Sequence, residues 1–300
     1  MAATARVRTV YLGTSEFAAA ILRRLAGSPH RPALVITRPD RPRGRGRRLA
    51  APPVADAARE LGIELDQPES VNDEPARARI AAARPEAVCV CAFGALIKEP
   101  LLSAHPLLNV HPSLLPRWRG AAPVERAIMA GDPITGVSIM RLTAGLDSGP
   151  VCLQASEPIE PGDTYGTLAR RLQALGGELL VAALAGSPPC VEQDGAEATY
   201  AEKITAADRM LDPDRTAPEL EAVVRALNPH IGAQLELADG SRLGVREARA
   251  LSDPGPTSGL SLAGRRPVLG CRSGSLELVV VVPPGRRPMA AEDFLRGYRS

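Results

Sequence analysis

Residues 7–37, VRTVYLGTSEFAAAILRRLAGSPHRPALVIT, read as strand, helix and strand in succession. Val7–Leu12 is an apolar run of strand length, and Phe17–Leu25 is an amphipathic run of helical length. Ser15 stands between them, where a hydroxyl can accept a hydrogen bond from a free helix N-terminal amide. Ala33–Thr37 is the second strand. Two strands with a helix between them lie parallel, because a parallel pair needs a crossover where an antiparallel pair needs only a tight turn.

The same rhythm continues outward. An arginine-rich loop leads to a helix over Pro53–Leu61, a short strand near Ile63–Leu65, and a helix near Glu74–Ala83. Buried strands follow at Ala87–Phe93 and Leu107–Val110, then a helix over Ala121–Met129 with Pro123 in its first turn. Strands at Gly136–Leu142 and Val151–Ile159 and a long helix over Thr164–Leu184 close the unit. This pattern predicts an α/β domain built on a doubly wound, mostly parallel sheet over residues 1–189. The turn-rich stretch Gly186–Ala207 reads as a connector, so residues 190–208 are expected to be a linker. Residues 209–300 then form a second, smaller domain. Thr216-Ala-Pro-Glu219 has capping-box spacing ahead of a helix at Pro218–Leu227. The short runs Leu235–Leu237, Leu243–Ala248, Gly259–Leu262, Pro267–Cys271 and Leu276–Val282 predict a small β-barrel, and a last helix covers Ala290–Arg296.

Composition bounds the function. The 300 residues are 45% hydrophobic, enough for two cores, and 27 glycines with 29 prolines fall short of a low-complexity chain. Only 3% are aromatic, so the core is built from Ala, Leu and Val. A net charge of +2 argues against a polybasic binder. No stretch approaches the ~18 apolar residues of a membrane span. The start MAATARVRTVYLG has no signal-peptide pattern, so the expectation is a soluble, cytoplasmic protein without membrane contact. Cys89, Cys91, Cys152, Cys190 and Cys271 are an odd set without C-x-x-C, unlike a disulfide framework or a zinc site, and no metal is expected.

The densest polar information lies in Asn109-Val-His-Pro-Ser-Leu-Leu-Pro-Arg-Trp-Arg-Gly120. Asn109 and His111 are two apart on a predicted strand and emerge from one face, at the carboxyl end where open parallel sheets bind ligands. An amide donor beside an imidazole suits an oxyanion on a tetrahedral carbon. Gly145-Leu-Asp-Ser-Gly149 can bring a carboxylate, Asp147, to orient His111 and favour its charged form. Alone, the first pattern also describes a proline-bounded turn and the second an ordinary aspartate turn.

With GTSEFAAAIL, TRPDRPRGRGRRL, FGALI, GDPITGVSIM, GLDSGPV, TYAEK and RALNP, these segments resemble the folate-dependent formyltransferases over nearly the whole chain. RWRGAAP and the arginine loop resemble the branch acting on methionyl-tRNA. The resemblance implies a Rossmann-like domain followed by an OB-like tRNA-binding barrel. It implies 10-formyltetrahydrofolate as formyl donor, initiator methionyl-tRNA as acceptor, and a monomer. Asn109, His111 and Asp147 occupy the three catalytic positions. Ser113, Leu114, Leu115 and Pro116 match the folate-contacting segment, and Phe93, Gly94, Leu96 and Ile97 match the loop that borders the pterin. The chain departs from the family where NPWPGA is usual, with Asn228-Pro-His-Ile-Gly-Ala233, so His230 reads as a local substitution.

Thr37–Leu49 sets Arg38, Arg41, Arg43, Arg45, Arg47 and Arg48 against Asp40 alone. Arginine's planar fork suits phosphate oxygens. The resemblance makes this loop the insertion that enters the tRNA acceptor stem, with Arg45 probing its end. Arg265, Arg266, Arg272, Arg286, Arg287, Arg296 and Arg299 offer a further nonspecific phosphate surface. Two other readings stand beside this one: a formyltransferase for a sugar amine or glycinamide ribonucleotide, and a noncatalytic RNA-binding protein on the same scaffold.

Overall fold

The computed structural model describes residues 6–43, 48–253, 255, 259–262 and 264–298. Contacts divide the chain into two compact units that are discontinuous in sequence. The first gathers residues up to Gly120, Thr135–Glu157 and Ala169–Tyr200; the second gathers Ala121–Ile134, Pro158–Leu168 and the chain from Ala201.

The first unit opens with β1 (Thr9–Gly13), α1 (Glu16–Ala26) and β2 (Pro32–Ile36), and Ser15 caps α1 by accepting from the Ala18 amide at 3.2 Å. A hairpin of β3 (Arg41–Arg43) and β4 (Arg48–Ala50) follows, then α2 (Pro53–Glu60), β5 (Glu64–Asp66) and α3 (Glu74–Ala82). Next come β6 (Ala87–Cys91), the single turn α4 (Leu101–Ala104), β7 (Leu107–His111) and the short β8 (Arg119–Gly120). α5 (Pro123–Met129) belongs to the second unit. β9 (Ile134–Arg141), β10 (Val151–Pro158) and the 22-residue α6 (Tyr165–Gly186) complete this part of the chain.

The main sheet runs β10-β9-β7-β6-β1-β2-β5. β2 pairs with β5, β1 with β2 and with β6, and β6 with β7, all in parallel. β9 joins β7 antiparallel, so the expected parallel sheet carries a reversed strand beside the one that holds Asn109 and His111. After β1 the chain winds outward through β2 and β5, then returns to β6 and β7 on the other side, which makes the β1/β6 junction a topological switch point. β1 and β6 are buried along their whole length, as strands covered on both faces must be. Val10, Leu12, Leu34, Ile36, Val88, Val90 and Phe93 belong to one apolar cluster.

The cysteines do not all behave as the sequence suggested. Cys152 on β10 and Cys190 form a disulfide, so the pairing expectation is corrected: their proximity comes from the antiparallel bridge of Val151 with Val191, a contact no spacing rule anticipates. Cys89 and Cys91 pack in the core as expected, and burial pushes both thiols up to about 12.

β11 (Tyr200–Ala201) leads into the second unit, where the Glu219 carboxylate of α7 (Ala217–Leu227) accepts from the Thr216 amide at 2.8 Å as T-x-x-E requires. Antiparallel strands follow: β12 (Ala233–Glu236), β13 (Arg242–Leu251), β14 (Leu260–Ser261), β15 (Val268–Gly270), β16 (Ser275–Val282) and β17 (Met289–Ala290), ending in α8 (Ala291–Tyr298). The order β12-β13-β16-β15-β14, with β17 on β16, leaves β12 and β14 unpaired with each other among the described residues. The expected barrel is therefore, over those residues, an open antiparallel sheet. β14 has two residues, too few to carry a ladder round to β12. Leu220, Val223, Val224 and Leu227 of α7 pack with Leu243, Val245, Leu276 and Leu278 of the sheet, with Met129 of α5 against them. His230 stacks on Tyr165 with ring centroids 3.7 Å apart and meets Glu125 at 2.8 Å, so this substitution is absorbed into packing.

Arg126 on α5 meets Asp208 at 2.7 Å. That bond, with the backbone and hydroxyl of Thr205, lowers the Asp208 carboxyl from 3.8 to about 2. A depressed carboxyl stabilises the folded state above its unfolded pKa and ceases to do so as the pH falls through the folded one. Between about pH 4 and pH 2 the chain is expected to lose about 2 kcal/mol from this pair. Urea unfolding across that window should show the loss in the parent and not in Asp208→Asn.

Candidate functional site

β7 lies between β6 and β9, and the two-residue pleat turns Asn109 and His111 to one face with Val110 on the other. Both polar side chains are buried, at 8% and 4% exposure. Among the described residues, the Asn109 amide has no hydrogen-bond partner, so its donors remain for an incoming oxygen. The His111 ring is held by a hydrogen bond at one nitrogen and faces a carboxylate with the other. Nε2 is 2.9 Å from the carbonyl oxygen of Trp118, and a carbonyl only accepts, so Nε2 carries a hydrogen. Nδ1 is thereby the exchangeable position, and it faces Asp147 Oδ2 at 3.7 Å, within charge-pairing range.

Two backbone distortions make this possible. Trp118 has φ +65°, the left-handed region that bulky residues avoid, at a cost of about 1–3 kcal/mol. Its amide donates to Thr199 Oγ1 at 2.9 Å, and the next amide, Arg119, donates to the Thr199 carbonyl at 2.8 Å, which holds the turn. Asp147 is also left-handed, at φ +43°, and its Oδ2 accepts from the Gly120 amide at 3.0 Å. Gly149 lets this loop close, since a Cβ there would run into the carbonyl oxygen of Arg141.

The Ser113–Pro116 segment is held from β9 and β10. Ser138 Oγ, fully buried, donates to the Ser113 carbonyl at 2.6 Å and accepts from the Leu115 amide at 3.1 Å. Gln154 Nε2 donates to Ser138 Oγ at 2.8 Å and to the Leu115 carbonyl at 3.0 Å. Gly136 provides the room, because a Cβ there would meet the Ala155 carbonyl oxygen and lie 2.5 Å from Leu114 Cδ2. Sequence reasoning missed Ser138 and Gln154. The signal for Ser138 is a hydroxyl inside the apolar run of β9, while Gln154 is one of several polar residues on β10 and carries none.

The 93–97 loop divides. Phe93 and Ile97 are buried in the core, while Gly94 and Leu96 are exposed and free to border a ligand. Thr14 Oγ1 donates to the Phe93 carbonyl at 2.7 Å, and Asn72 Nδ2 to the Leu96 carbonyl at 2.8 Å. Arg38 Nη1 donates to the Gly94 carbonyl at 2.7 Å, so the first arginine of the basic loop braces this neighbouring loop.

The basic loop is a hairpin at its root, where Arg41, Pro42 and Arg43 of β3 pair with Ala50, Leu49 and Arg48 of β4. Arg41 meets the exposed Glu69 at 2.9 Å, a surface pair of small energy. Arg45 and Arg47 lie outside the described residues. In the second unit, Arg266 is shared between Glu277 and Glu292, Arg272 pairs with Glu219, and Arg296 with Asp293. Arg286 and Arg287 have no ion-pair partner among the described residues. Arg299 lies outside them. Among the described residues, no helix is long and apolar enough to cross a membrane.

An unpartnered amide, an imidazole with one exchangeable nitrogen and a carboxylate facing it can together stabilise an oxyanion and move a proton beside it. The chain matches two family models: formyl transferase, over residues 6–184, and formyl transferase C-terminal domain, over residues 203–299. It is 40% identical over 296 residues to the methionyl-tRNA formyltransferase of Dechloromonas aromatica, covering 97% of this chain and 96% of that one. It is 41% identical over 301 residues to that of Methylococcus capsulatus, covering 97% of each. Among solved structures, HypX from Aquifex aeolicus in complex with tetrahydrofolic acid has a TM-score of 0.66 at 16% identity, over 97% of this chain and 47% of that one. An N-formyltransferase from Helicobacter canadensis, in complex with folinic acid and dTDP-3-aminofucose, has a TM-score of 0.65 at 14% identity, over 91% and 99%. These two likenesses are of fold.

The closed glycines generate an expectation. Gly149→Ala should destabilise the chain by about 2 kcal/mol or more, because backbone at Arg141 must move. Gly162→Ala, where nothing lies within 4 Å, should stay within about 0.5 kcal/mol of the parent. Urea midpoints of the two variants against the parent check this.

Proposed function

We propose, since the chain belongs to the formyl transferase family, that it transfers the formyl group of 10-formyltetrahydrofolate to the α-amino group of methionine on initiator methionyl-tRNA. The observation that carries this reading is full-length similarity, near 40% identity, to proteins named methionyl-tRNA formyltransferase, in a chain whose His111, two residues beyond Asn109 on β7, faces Asp147. The folate fits what lines the site: an exposed Gly94–Leu96 edge beside the switch point, and the Ser113–Pro116 turn held rigid from β9.

The amine nitrogen forms a bond to the formyl carbon, and the bond from that carbon to the folate nitrogen breaks. One proton leaves the attacking nitrogen and one arrives on the departing nitrogen. Asn109 donates to the oxygen that gains charge as the carbon becomes tetrahedral. His111, protonated at both nitrogens, adds positive charge beside it. Asp147 supports that charged ring and, with Nδ1, provides the path along which the proton passes from one nitrogen to the other. The Trp118 carbonyl keeps Nε2 out of that exchange.

The basic hairpin is the tRNA-facing element in this reading: Arg38, Arg41, Arg43 and Arg48 belong to its described part, and Arg45 and Arg47 of the same loop complete the basic set. The C-terminal antiparallel sheet adds phosphate contacts in this reading, for which Arg286 and Arg287 carry no ion-pair partner among the described residues. The protein acts as a cytoplasmic monomer in this reading.

The test is labelled formyl transfer from 10-formyltetrahydrofolate to initiator methionyl-tRNA, elongator methionyl-tRNA, a nucleotide-linked amino sugar and glycinamide ribonucleotide. Preference for initiator methionyl-tRNA is expected; preference for a small amine, or RNA binding without transfer, overturns the reading. Asn109→Ala should lower kcat by about 10²–10³, the cost of one oxyanion donor, with folate affinity retained. Arg45→Ala should weaken transfer to the tRNA far more than it weakens tetrahydrofolate binding, and equal losses would remove Arg45 from the tRNA contact.

A further inference from the structure

The stretch between the two matched regions reads as a connector, yet residues 190–199 run across the candidate catalytic site of the first unit. One end is fastened to β10, where Cys190 is bonded to Cys152 and Val191 exchanges both backbone hydrogen bonds with Val151, at 2.8 and 2.9 Å. The other end is fastened to the turn after His111. There the Thr199 amide donates to the Pro116 carbonyl at 3.3 Å, and Thr199 accepts from the Trp118 and Arg119 amides.

Gln193 lies between these anchors, half-buried. Its Nε2 donates to the carbonyl oxygens of Asp147 and Gly149, at 2.9 and 2.7 Å, and its Oε1 accepts from Arg119 Nε at 3.0 Å. Arg119 is itself buried, and it precedes Gly120, whose amide holds the Asp147 carboxylate. One side chain therefore ties the backbone of the aspartate loop to the strand that grips its carboxylate. The chemistry requires a primary amide of this length: two donors at one atom for two carbonyls, and an acceptor at the other for a guanidinium.

The loop needs such a brace. A non-glycine residue at φ +43° is held against a preference for negative φ, and such conformations persist only where the surroundings over-determine them. Without its two carbonyl bonds the loop is freed to relax, and the carboxylate swings from Nδ1 of His111. We propose that Gln193 is a positioning residue for Asp147, so that the apparent connector is part of the catalytic apparatus. The proposal rests on the formyl-transfer reading.

The experiment compares Gln193→Leu and Gln193→Glu with the parent in steady-state formyl transfer at pH 8, with thermal melting and tetrahydrofolate titration alongside. Leucine fills the volume without polar atoms. Glutamate keeps an acceptor for Arg119 but sets a carboxylate against two carbonyl oxygens. Both variants should lower kcat by about tenfold or more, as a misplaced catalytic group does, with KM for the formyl donor and folate affinity within about twofold of the parent. The proposal falls if kcat is unchanged, if glutamate retains parental kcat while leucine does not, or if the loss follows the melting temperature or folate affinity. A parent that transfers no formyl group to any acceptor refutes the functional reading itself, and this inference with it.

Discussion

The hydrogen bond between His111 Nε2 and the Trp118 carbonyl is the constraint on which the site depends. A neutral imidazole has two tautomers and two ring orientations, and chemistry at one nitrogen requires that the other be committed. A main-chain carbonyl commits it without introducing a second ionisable group. Nδ1 is left facing the Asp147 carboxylate. Everything that shapes the turn between Pro112 and Gly120 serves that bond: the serine hub on β9 beneath Ser113 and Leu115, the left-handed Trp118, and the clasp of Thr199 on the two amides that follow.

Two left-handed residues and two close backbone approaches lie around this centre. Trp118 and Asp147 both occupy the left-handed region, and Gly136 and Gly149 are glycines because backbone passes where a Cβ would stand. The two left-handed residues are destabilising locally by about 1–3 kcal/mol each and persist because hydrogen bonds from distant parts of the chain leave no alternative. The core supplies the rigidity behind them. β1 and β6 are wholly buried, and the chain reverses its winding between them, so the loops at their carboxyl ends are presented on an unyielding edge.

The elements of the fold were legible where local chemistry specifies them. The Ser15 cap, the Thr216–Glu219 pair and the apolar runs of β1, β2, β6 and β7 follow from side chains within a few residues of one another. Asn109 and His111 were legible for the same reason, since a two-residue pleat alone turns them together. What the sequence hid is what distance in the chain creates. The reversal of β9 against β7, the Cys152–Cys190 bond and the grip of Gln193 on Asp147 each join residues 27 to 46 apart, and neither period nor spacing encodes such meetings. Short strands misled for a further reason: the runs of the C-terminal sheet promise pairing but do not say whether the last edge meets the first. Arg38 lies in a basic cluster by composition and braces a neighbouring loop by geometry.

The placement of residues 190–199 bears on how such chains can be recombined. Grafting a foreign C-terminal domain onto such a chain invites a splice in the turn-rich stretch after α6, where composition advertises freedom. A junction made there would separate the disulfide partner of Cys152, the amide that braces Asp147 and the threonine that clasps Trp118 from the site they complete. The last segment of the first unit runs on to Tyr200, well past the final turn of α6.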